Sequence, residues 1–259
     1  MDIHKPKAAH SWREFLIEIG TIICGILIAL GLEQGVEWLH WREKVEAAEV
    51  RLNKELGRAY AYAFERTSIG GCLDRRLSLL KNKVLEGSLH WTPLPPMTHP
   101  TMGQRAYVIP SRPYRDAVWK SALADGTAAH MEAGVVNNYS NEYTQIAVLS
   151  DYTSAEYTDM GLLNVLNNHI EILPSDRFGL VSRLEQMQVR NAFVLLVAHQ
   201  IMMRTKTIAH VDETKAQNWL LTRSNTYKAC FDLGLLEPGA PPPRLETDGS
   251  DDAQLEILR

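Results

Sequence analysis

The residue types that most often carry out catalysis occur in this chain without the spacing that catalysis requires. No HExxH, GxSxG, P-loop, GxGxxG or CxxC pattern occurs, so the signatures of zinc hydrolases, serine hydrolases, nucleotide-binding proteins and dithiol oxidoreductases are absent. The nine histidines are scattered, and His199 and His210 share a helical face only if a single helix crosses the interval between them, which Asp212 as a helix cap argues against. We therefore expect no catalytic residues, no metal and no cofactor. An enzyme would need a pocket that gathers acids and histidines from distant parts of the chain.

Asparagines and tyrosines are the other polar groups that could bind a small molecule. The amides form two groups in the sequence: Asn137 and Asn138, then Asn164, Asn167 and Asn168. Asparagine also caps or interrupts helices, and we favour that role here. Tyr139 and Tyr143, four residues apart, are expected to pack in the core with polar tips.

The three cysteines divide between two environments. Cys24 lies in an apolar run, whereas Cys72 and Cys230 lie in the polar remainder of the chain. In an oxidising compartment Cys72 and Cys230 could form one disulfide. We favour two unrelated buried thiols, because the sequence does not show whether their Cα atoms approach within about 7 Å.

The run from Phe15 to Leu32, FLIEIGTIICGILIALGL, is the strongest structural signal in the sequence. As a helix it would be roughly 27 Å long, close to the roughly 30 Å hydrocarbon layer of a membrane. Trp12 precedes the run, and Trp38 and Trp41 follow it. Indole rings favour membrane interfaces, so we predict a membrane-spanning helix with Trp12, Trp38 and Trp41 as its interface anchors.

Two other interpretations of this run stay open. A cleaved secretory signal would have its apolar centre at Ile19–Leu32 and a small-x-small cleavage pattern at Ala29 and Gly31. Glu14 and Glu18 are poorly placed for such a signal, and the helical pattern continues beyond the run. A buried core helix of a soluble protein fits shorter runs better and does not explain the flanking tryptophans.

Small residues place two candidate packing faces on the predicted membrane helix. Gly31 and Gly35 have the GxxxG spacing that lets helix backbones approach closely. At about 100° per residue, one face contains Gly20, Cys24, Gly31 and Gly35, and the opposite face contains Gly25 and Ala29 together with Glu18. Glycine is also common in membrane helices that do not associate.

Glu18 is the ionisable residue inside the apolar run. An acid at membrane depth costs a few kcal/mol near the bilayer centre and less toward its edges. Glu18 either reaches back to the interface near Arg13 and Trp12, or makes a polar contact with a partner helix or accepts a proton.

The spacing of apolar residues predicts an all-α protein: one N-terminal transmembrane helix that continues into a helical stalk, plus a soluble helical bundle. In the stalk, apolar residues recur every three and four positions, the period of a helical face: Val45, Ala48, Leu52, Leu56, Ala59 and Ala63. The predicted divisions are a short tail (1–14), the transmembrane helix and interface (15–41), the stalk (42–90), a proline-rich connector (91–113), the bundle (114–233) and a disordered tail (234–259).

Two further predictions concern single segments, one in the stalk and one in the bundle. Gly70 and Gly71 predict a bend or break in the stalk, because glycine weakens a helix. The segment Phe193–Val197 is the most apolar part of the bundle and is expected to be its buried helix.

Composition and charge restrict the partners. The formal net charge of −4 and the lack of a dense basic patch argue against nucleic acid. We expect the lipid bilayer, and either the protein itself or another membrane protein, to be its partners. Lysines and arginines are nearly balanced on the two sides of the predicted span, so the positive-inside rule decides little. We place the short head in the cytoplasm and the long body in the periplasm.

The anchor and its flanks, WREFLIEIGTIICGILIALGLEQGVEWLHWREK, resemble a family of single-span bacterial inner-membrane proteins that has no assigned activity. In that family a glutamate-bearing run ends in GILIAL, here Gly25 to Leu30, and a helical body follows. The stretch from Ala117 to Met131 is similar to the family's helix, glycine turn and second helix. The exit Gly31–Gly35 differs from the family's usual Gln-Ile-Asn-Asn type. The resemblance implies an uncleaved anchor in the inner membrane of a Gram-negative bacterium.

These observations predict a non-catalytic, single-pass membrane protein that works by helix-mediated association. It would form a homo-oligomer or serve as an accessory subunit of a membrane complex. The alternative is a periplasmic domain, carried on a membrane anchor, that senses or binds a small ligand.

Overall fold

A single helix, α1, runs without interruption from Trp12 to Leu85. Its 74 residues correspond to about 110 Å at the rise of an α-helix. The computed structural model describes residues 12–245. Residues 1–11 and 246–259, which hold most of the predicted N-terminal tail and the end of the predicted C-terminal tail, lie outside the described part.

The two halves of α1 have different surroundings. From Trp12 to His40 every residue except the partly buried Gly20 is exposed. From Ala48 onward the helix buries the predicted positions Ala48, Leu52, Leu56, Ala59 and Ala63, and between Glu55 and Arg66 it is buried on nearly every side. The second half of α1 is therefore the central helix of the body, so the predicted stalk, 42–90, is not separate from the bundle.

Five more helices complete the described part of the chain and confirm the all-α class: α2 (Ala117–Ala124), α3 (Ala133–Leu162), α4 (Pro174–Ala209), α5 (Glu213–Arg223) and α6 (Asn225–Asp232). Two of these helices have an N-cap side chain that accepts hydrogen bonds from backbone amides of the first turn. Asp212 accepts hydrogen bonds from the backbone amides of Thr214 and Lys215. Ser224 accepts one from the amide of Tyr227.

The helices pack around α1 with α3 parallel and α4 antiparallel to it. The beginning of α3 meets Asn53 and its end meets Arg66. The beginning of α4 lies beside Ser88 and its end beside Tyr60. Short 3-10 turns precede and follow α3, at Thr127–His130 and Leu163–Asn167. The hydrophobic core extends along α1 in two adjoining clusters.

The proline-rich connector is more ordered than its composition predicts. Two short antiparallel pairs form there: β1 (His90–Trp91) with β4 (Ile170–Glu171), and β2 (Met97–His99) with β3 (Gly103–Arg105). The Trp91 indole donates a hydrogen bond to the carbonyl of Leu166 at 3.0 Å. After β3, the segment Ala106–Ile109 is buried in the core. Residues 91–113 are thus a packed strap along α1.

The described beginning of the predicted disordered tail also packs on the body. Arg75 donates to the carbonyl of Leu235 through Nε at 2.9 Å and Nη2 at 2.6 Å. The Tyr227 hydroxyl donates to the carbonyl of Pro241 at 2.8 Å. The prediction of disorder is therefore wrong for residues 234–245. The remainder of that prediction, residues 246–259, lies outside the described residues.

The predicted break at Gly70–Gly71 is wrong, because Gly70 serves to bring two helices together. A Cβ atom at Gly70 would lie 2.1 Å from Cδ2 of Leu195 on α4. The amide of Asn191 donates to the carbonyl of Gly70 at 3.1 Å. The packing of α4 compensates for the weak helix propensity of glycine, which costs about 1 kcal/mol relative to alanine.

Gly70 and Gly71 form a matched pair for mutation. Gly70→Ala should lower the free energy of unfolding by about 1–2 kcal/mol, because the displacement of Leu195 outweighs the gain in helix propensity. Gly71→Ala meets Arg75 at 3.5 Å, an ordinary contact, and should raise stability by about 0.5–1 kcal/mol. Denaturant unfolding of the purified full chain measures both. A stabilising effect of Gly70→Ala would contradict the close approach of α4.

Candidate functional site

The predicted membrane helix is the most unusual surface of the molecule. By length and composition, one helix of the described part of the chain, α1, can cross a membrane, and its most apolar 18-residue window is 0% buried. Trp12 and Trp38 are 72% and 60% exposed. A soluble core helix would bury such a run, so its exposure does not fit the third interpretation of the sequence.

The predicted packing faces of this helix are open in the single chain. Cβ atoms placed on the four anchor glycines would meet no atom within 4 Å, and Cys24 is a free, exposed cysteine. The positions are Gly20, Gly25, Gly31 and Gly35, with Ala29 exposed beside them. Glu18 is exposed too, and both interpretations of that residue stay predictions.

Trp41 has a different role from the other two tryptophans. Its ring stacks on His130 with centroids 3.8 Å apart and an interplanar angle of 13°. The Lys44 ammonium lies 4.7 Å from the ring centroid and 3.3 Å from Oδ2 of Asp125. Hydrogen bonds from Thr127, with a smaller contribution from Lys44, lower the pKa of Asp125 to about 2. Trp41 therefore binds the near end of the body to α1, about nine residues beyond the apolar run.

A buried ionic cluster joins the three long helices farther along α1. Arg66 donates to Oε1 of Glu156 at 2.5 Å and to Oδ1 of Asn191 at 2.9 Å. Burial raises the pKa of Glu156, and the attraction of Arg66 partly opposes that rise. Asp159, one turn along α3, pairs with Arg190 of α4. Because an unpaired charge here would be costly, these pairs fix the register of α1, α3 and α4.

A second buried pair attaches the strap. Arg112 donates two hydrogen bonds to Glu65, at 2.7 Å and 3.0 Å, and the Glu65 side chain is fully buried. The Arg112 guanidinium also lies 4.7 Å from the centroid of the Trp219 ring. Such planar, two-point recognition of a carboxylate is specific to arginine. The pair connects α1, the strap and α5.

Tyrosines of α3 use their polar tips inside the core. The Tyr139 hydroxyl donates to Oδ1 of Asn53, and the Tyr143 hydroxyl donates to Oε2 of Glu55, each at 2.8 Å. The prediction of core tyrosines with polar tips is confirmed. Their neighbour Glu142 is fully buried and accepts a hydrogen bond from Thr205 at 2.6 Å. Burial raises the pKa of Glu142 to about 7, against smaller opposing effects of Thr205 and Arg204.

The two asparagine groups do not come together. Asn137 and Asn138 lie near the beginning of α3, whereas Asn164 and Asn167 lie in the 3-10 turn after its end. The 26 positions from Asn138 to Asn164, nearly all of them in α3, separate the groups by about 39 Å. The asparagine whose side chain does join buried groups is Asn191. No sequence pattern distinguishes it from the other asparagines.

The histidines are also dispersed. Helix α4 contains His199 and extends to Ala209, and His210 follows as its C-cap in the left-handed conformation with φ of 47°, so His210 is not part of the helical face that contains His199. Among residues 12–245, no three histidine, cysteine or acidic side chains lie together in a way that could hold a metal ion.

Cys72 and Cys230 form a disulfide, so the preference for two unrelated buried thiols is wrong. Their Cα atoms are 6.0 Å apart, and 158 positions separate them in sequence. The bond connects α1 to α6, 31 positions along α1 from Trp41.

Comparison with known proteins gives no relative for this chain. No family model, curated protein or solved structure matches it. The resemblance of the anchor to the single-span bacterial family accordingly stays a prediction.

The disulfide should contribute measurably to stability. Replacing both partners, Cys72→Ser with Cys230→Ser, should lower the free energy of unfolding by about 2–5 kcal/mol, because a long loop in the unfolded chain is released. Cys24→Ser is the control and should have no such effect, since Cys24 is exposed and unpaired. Urea unfolding of the detergent-solubilised chain measures the difference. An unchanged midpoint for the double variant, or alkylation of Cys72 in the native unreduced protein, would argue against the bond.

Glu142 should make stability depend on pH. Its pKa is raised to about 7 from an ordinary 4.5, so the native state holds a proton that the unfolded state has lost between these values. Its contribution is therefore most favourable below the unfolded pKa and is lost as pH rises through about 7. Glu142→Gln should remove this loss, stabilising the protein at pH 8 relative to the parent and much less at pH 5. Asp151→Asn, an exposed change on the same helix, should leave the profile unaltered. Parallel pH profiles for the parent and Glu142→Gln would contradict the assignment.

Proposed function

We propose that this chain is a single-pass membrane protein that functions by association rather than by catalysis. The observation that carries the proposal is the wholly exposed apolar run of α1, continuous with the central helix of a folded body. Exposed to water, such a surface is unfavourable by about 25 cal/mol per Å² of apolar area. In lipid the same surface is stable, and an unbroken helix leaves no unpaired backbone group within the span.

The disulfide supports placing the body outside the cytoplasm. Disulfides persist in oxidising compartments, whereas cytoplasmic thiols are kept reduced. Both bonded cysteines belong to the body, on the C-terminal side of the apolar run. We therefore place the N-terminal head in the cytoplasm and the body in the periplasm. The resemblance of the anchor adds the inner membrane of a Gram-negative bacterium to this proposal.

The form of association follows from the open faces of the anchor. Gly31 and Gly35 expose backbone at the spacing that permits close contact between membrane helices. A partner helix, from a second copy or from a larger membrane complex in which this chain is an accessory subunit, would cover them. Sensing of a small ligand by the body stays the alternative prediction.

Cys24 gives a direct test of the anchor contact. If copies associate through the face that contains Gly31 and Gly35, mild oxidation of native membranes should link Cys24 of two chains into a species of twice the mass. Gly31→Leu should reduce this yield several-fold, because the added side chain separates the helices. The matched control moves the thiol: Cys24→Ser with Ile26→Cys places it about 160° around the helix and should link poorly.

The same experiment can refute this arrangement. Equal linking from positions 24 and 26 would show random collision, and no linking from either position would show that this face does not join two copies. In that case a hetero-complex would be the form of association left to seek, by identifying what copurifies from native membranes in mild detergent.

A further inference from the structure

The outward face of α4 carries an apolar stripe that nothing in residues 12–245 covers. Val189, Phe193, Leu196 and Met203 are 71%, 38%, 53% and 56% exposed. Tyr152 of α3 widens the stripe by packing against Phe193 at a centroid distance of 4.4 Å. The sequence predicted a buried helix at Phe193–Val197. Burial is confined to the inward residues such as Val194 and Val197, and Phe193 and Leu196 face outward.

The spacing of the stripe is that of a helix-pairing surface. Positions 189, 193, 196, 200 and 203 are separated by four, three, four and three residues. This alternation keeps one seam facing a partner helix in a coiled coil. Isolated exposed apolar residues are ordinary on a protein surface, whereas a contiguous patch marks an interaction site.

Lipid does not account for the stripe. The Thr67 hydroxyl of α1 contacts the sulfur of Met202, next to Met203. Thr67 lies 35 residues beyond Leu32, or about 50 Å along the helix from the end of the apolar run. The stripe therefore stands well outside the hydrocarbon layer, and its partner must be a protein surface.

We infer that the partner is a second copy of this chain, with the two α4 helices side by side, parallel and in register. This inference rests on the proposed membrane anchoring. Two chains with one anchor each have the same orientation in the membrane, so a dimer axis must be normal to it. Such an axis brings each residue of the stripe to the height of the same residue in the other copy.

The side chains of the stripe are complementary to themselves in that arrangement. Phe193 and Leu196 would form successive apolar layers with their own copies. Gln200 follows at a core position, where its amide can both donate to and accept from the same amide of the second copy. A single polar residue at such a position favours one register over others.

The residues beside the stripe fit the same arrangement. In a parallel coiled coil, the core layers alternate between two kinds of position. The residue directly before a layer of the first kind faces the residue five positions later in the other helix. Glu185 would thus face Arg190 of the second copy. Each already has a partner in its own chain, Lys81 for Glu185 and Asp159 for Arg190, so the opposite charges add no repulsion between the copies.

The stripe and the anchor face also lie toward the same side of α1. Counted at about 100° per residue from Gly70, which contacts α4, Thr67 lies at about 60°, Gly31 at about 60° and Gly35 at about 100°. The anchor glycines therefore point toward the side on which α4 packs. One dimer can use both the anchor face and the α4 stripe.

A photoreactive amino acid in place of Leu196, in the full-length chain in intact cells, tests the inference. Illumination should give a species of twice the mass, joined to residues 189–203 of a second chain. Leu79 is the matched control: it is also an exposed leucine, at 45%, but lies about 180° from Gly70 around α1. The same probe at Leu79 should give no such species. A product with a different protein, with residues 246–259 of the same chain, or no product would overturn the α4 contact.

The anchor test separates this inference from the proposed function. If Cys24 still links two copies while the probe at Leu196 does not, the α4 contact is refuted and association through the anchor stands. If neither position links copies, self-association itself is refuted. Leu196→Glu should lower the yield of Cys24-linked dimer at least about tenfold by placing two like charges in one layer, and Leu79→Glu should not change it.

Discussion

The structure depends on one continuous helix, α1, whose two halves have different surroundings. Along Phe15–Leu32 the surface of α1 is apolar and exposed, and from Ala48 onward α1 packs inside the body, with Ala59–Ala63 buried on every side. Each half needs different surroundings to be stable. In lipid, a helix pairs every backbone group within itself, and in water an amphipathic helix needs neighbours to cover its apolar face. Because no loop separates the halves, the body cannot reorient independently of the anchor.

Buried ionic pairs then determine how the neighbours sit on α1. Hydrophobic contacts alone would tolerate a shift of α4 or α3 along α1, since one apolar residue replaces another at similar spacing. A shift that separated Arg66 from Glu156, or Glu65 from Arg112, would leave charges buried without partners, which costs about 3–5 kcal/mol. The close approach at Gly70 and the disulfide between Cys72 and Cys230 act at the same levels of α1. The body is therefore specified by polar groups as much as by its apolar core.

Some features of the fold could be predicted from the sequence and others could not, and in each case there is a physical reason. The apolar run, the helical period of residues 45–63 and the polar-tipped core tyrosines are local patterns, and the structure contains all three. The role of Gly70 could not be read locally, because glycine indicates either a break or a close approach, and only the position of Leu195 decides between them. The strap is similar: its prolines predict irregular structure, but its order comes from Arg112 binding a glutamate 47 positions earlier. The stripe on α4 was hidden by the same ambiguity, since apolar residues at 193–197 do not show which faces are buried.

Continuity of α1 also relates the membrane to the body in a specific way. In the proposed membrane arrangement, a helix without a hinge would fix both the height of the body above the bilayer and its rotation relative to the apolar run. Trp41, stacked on His130, holds the body against α1 about nine residues beyond that run, so the fixed rotation would begin close to the membrane. In that arrangement the faces of Gly31 and Gly35 in the apolar run and of α4 in the body would be two parts of one rigid surface. A contact made through either part would orient the other, so a partner in the membrane would determine which side of the body can be reached.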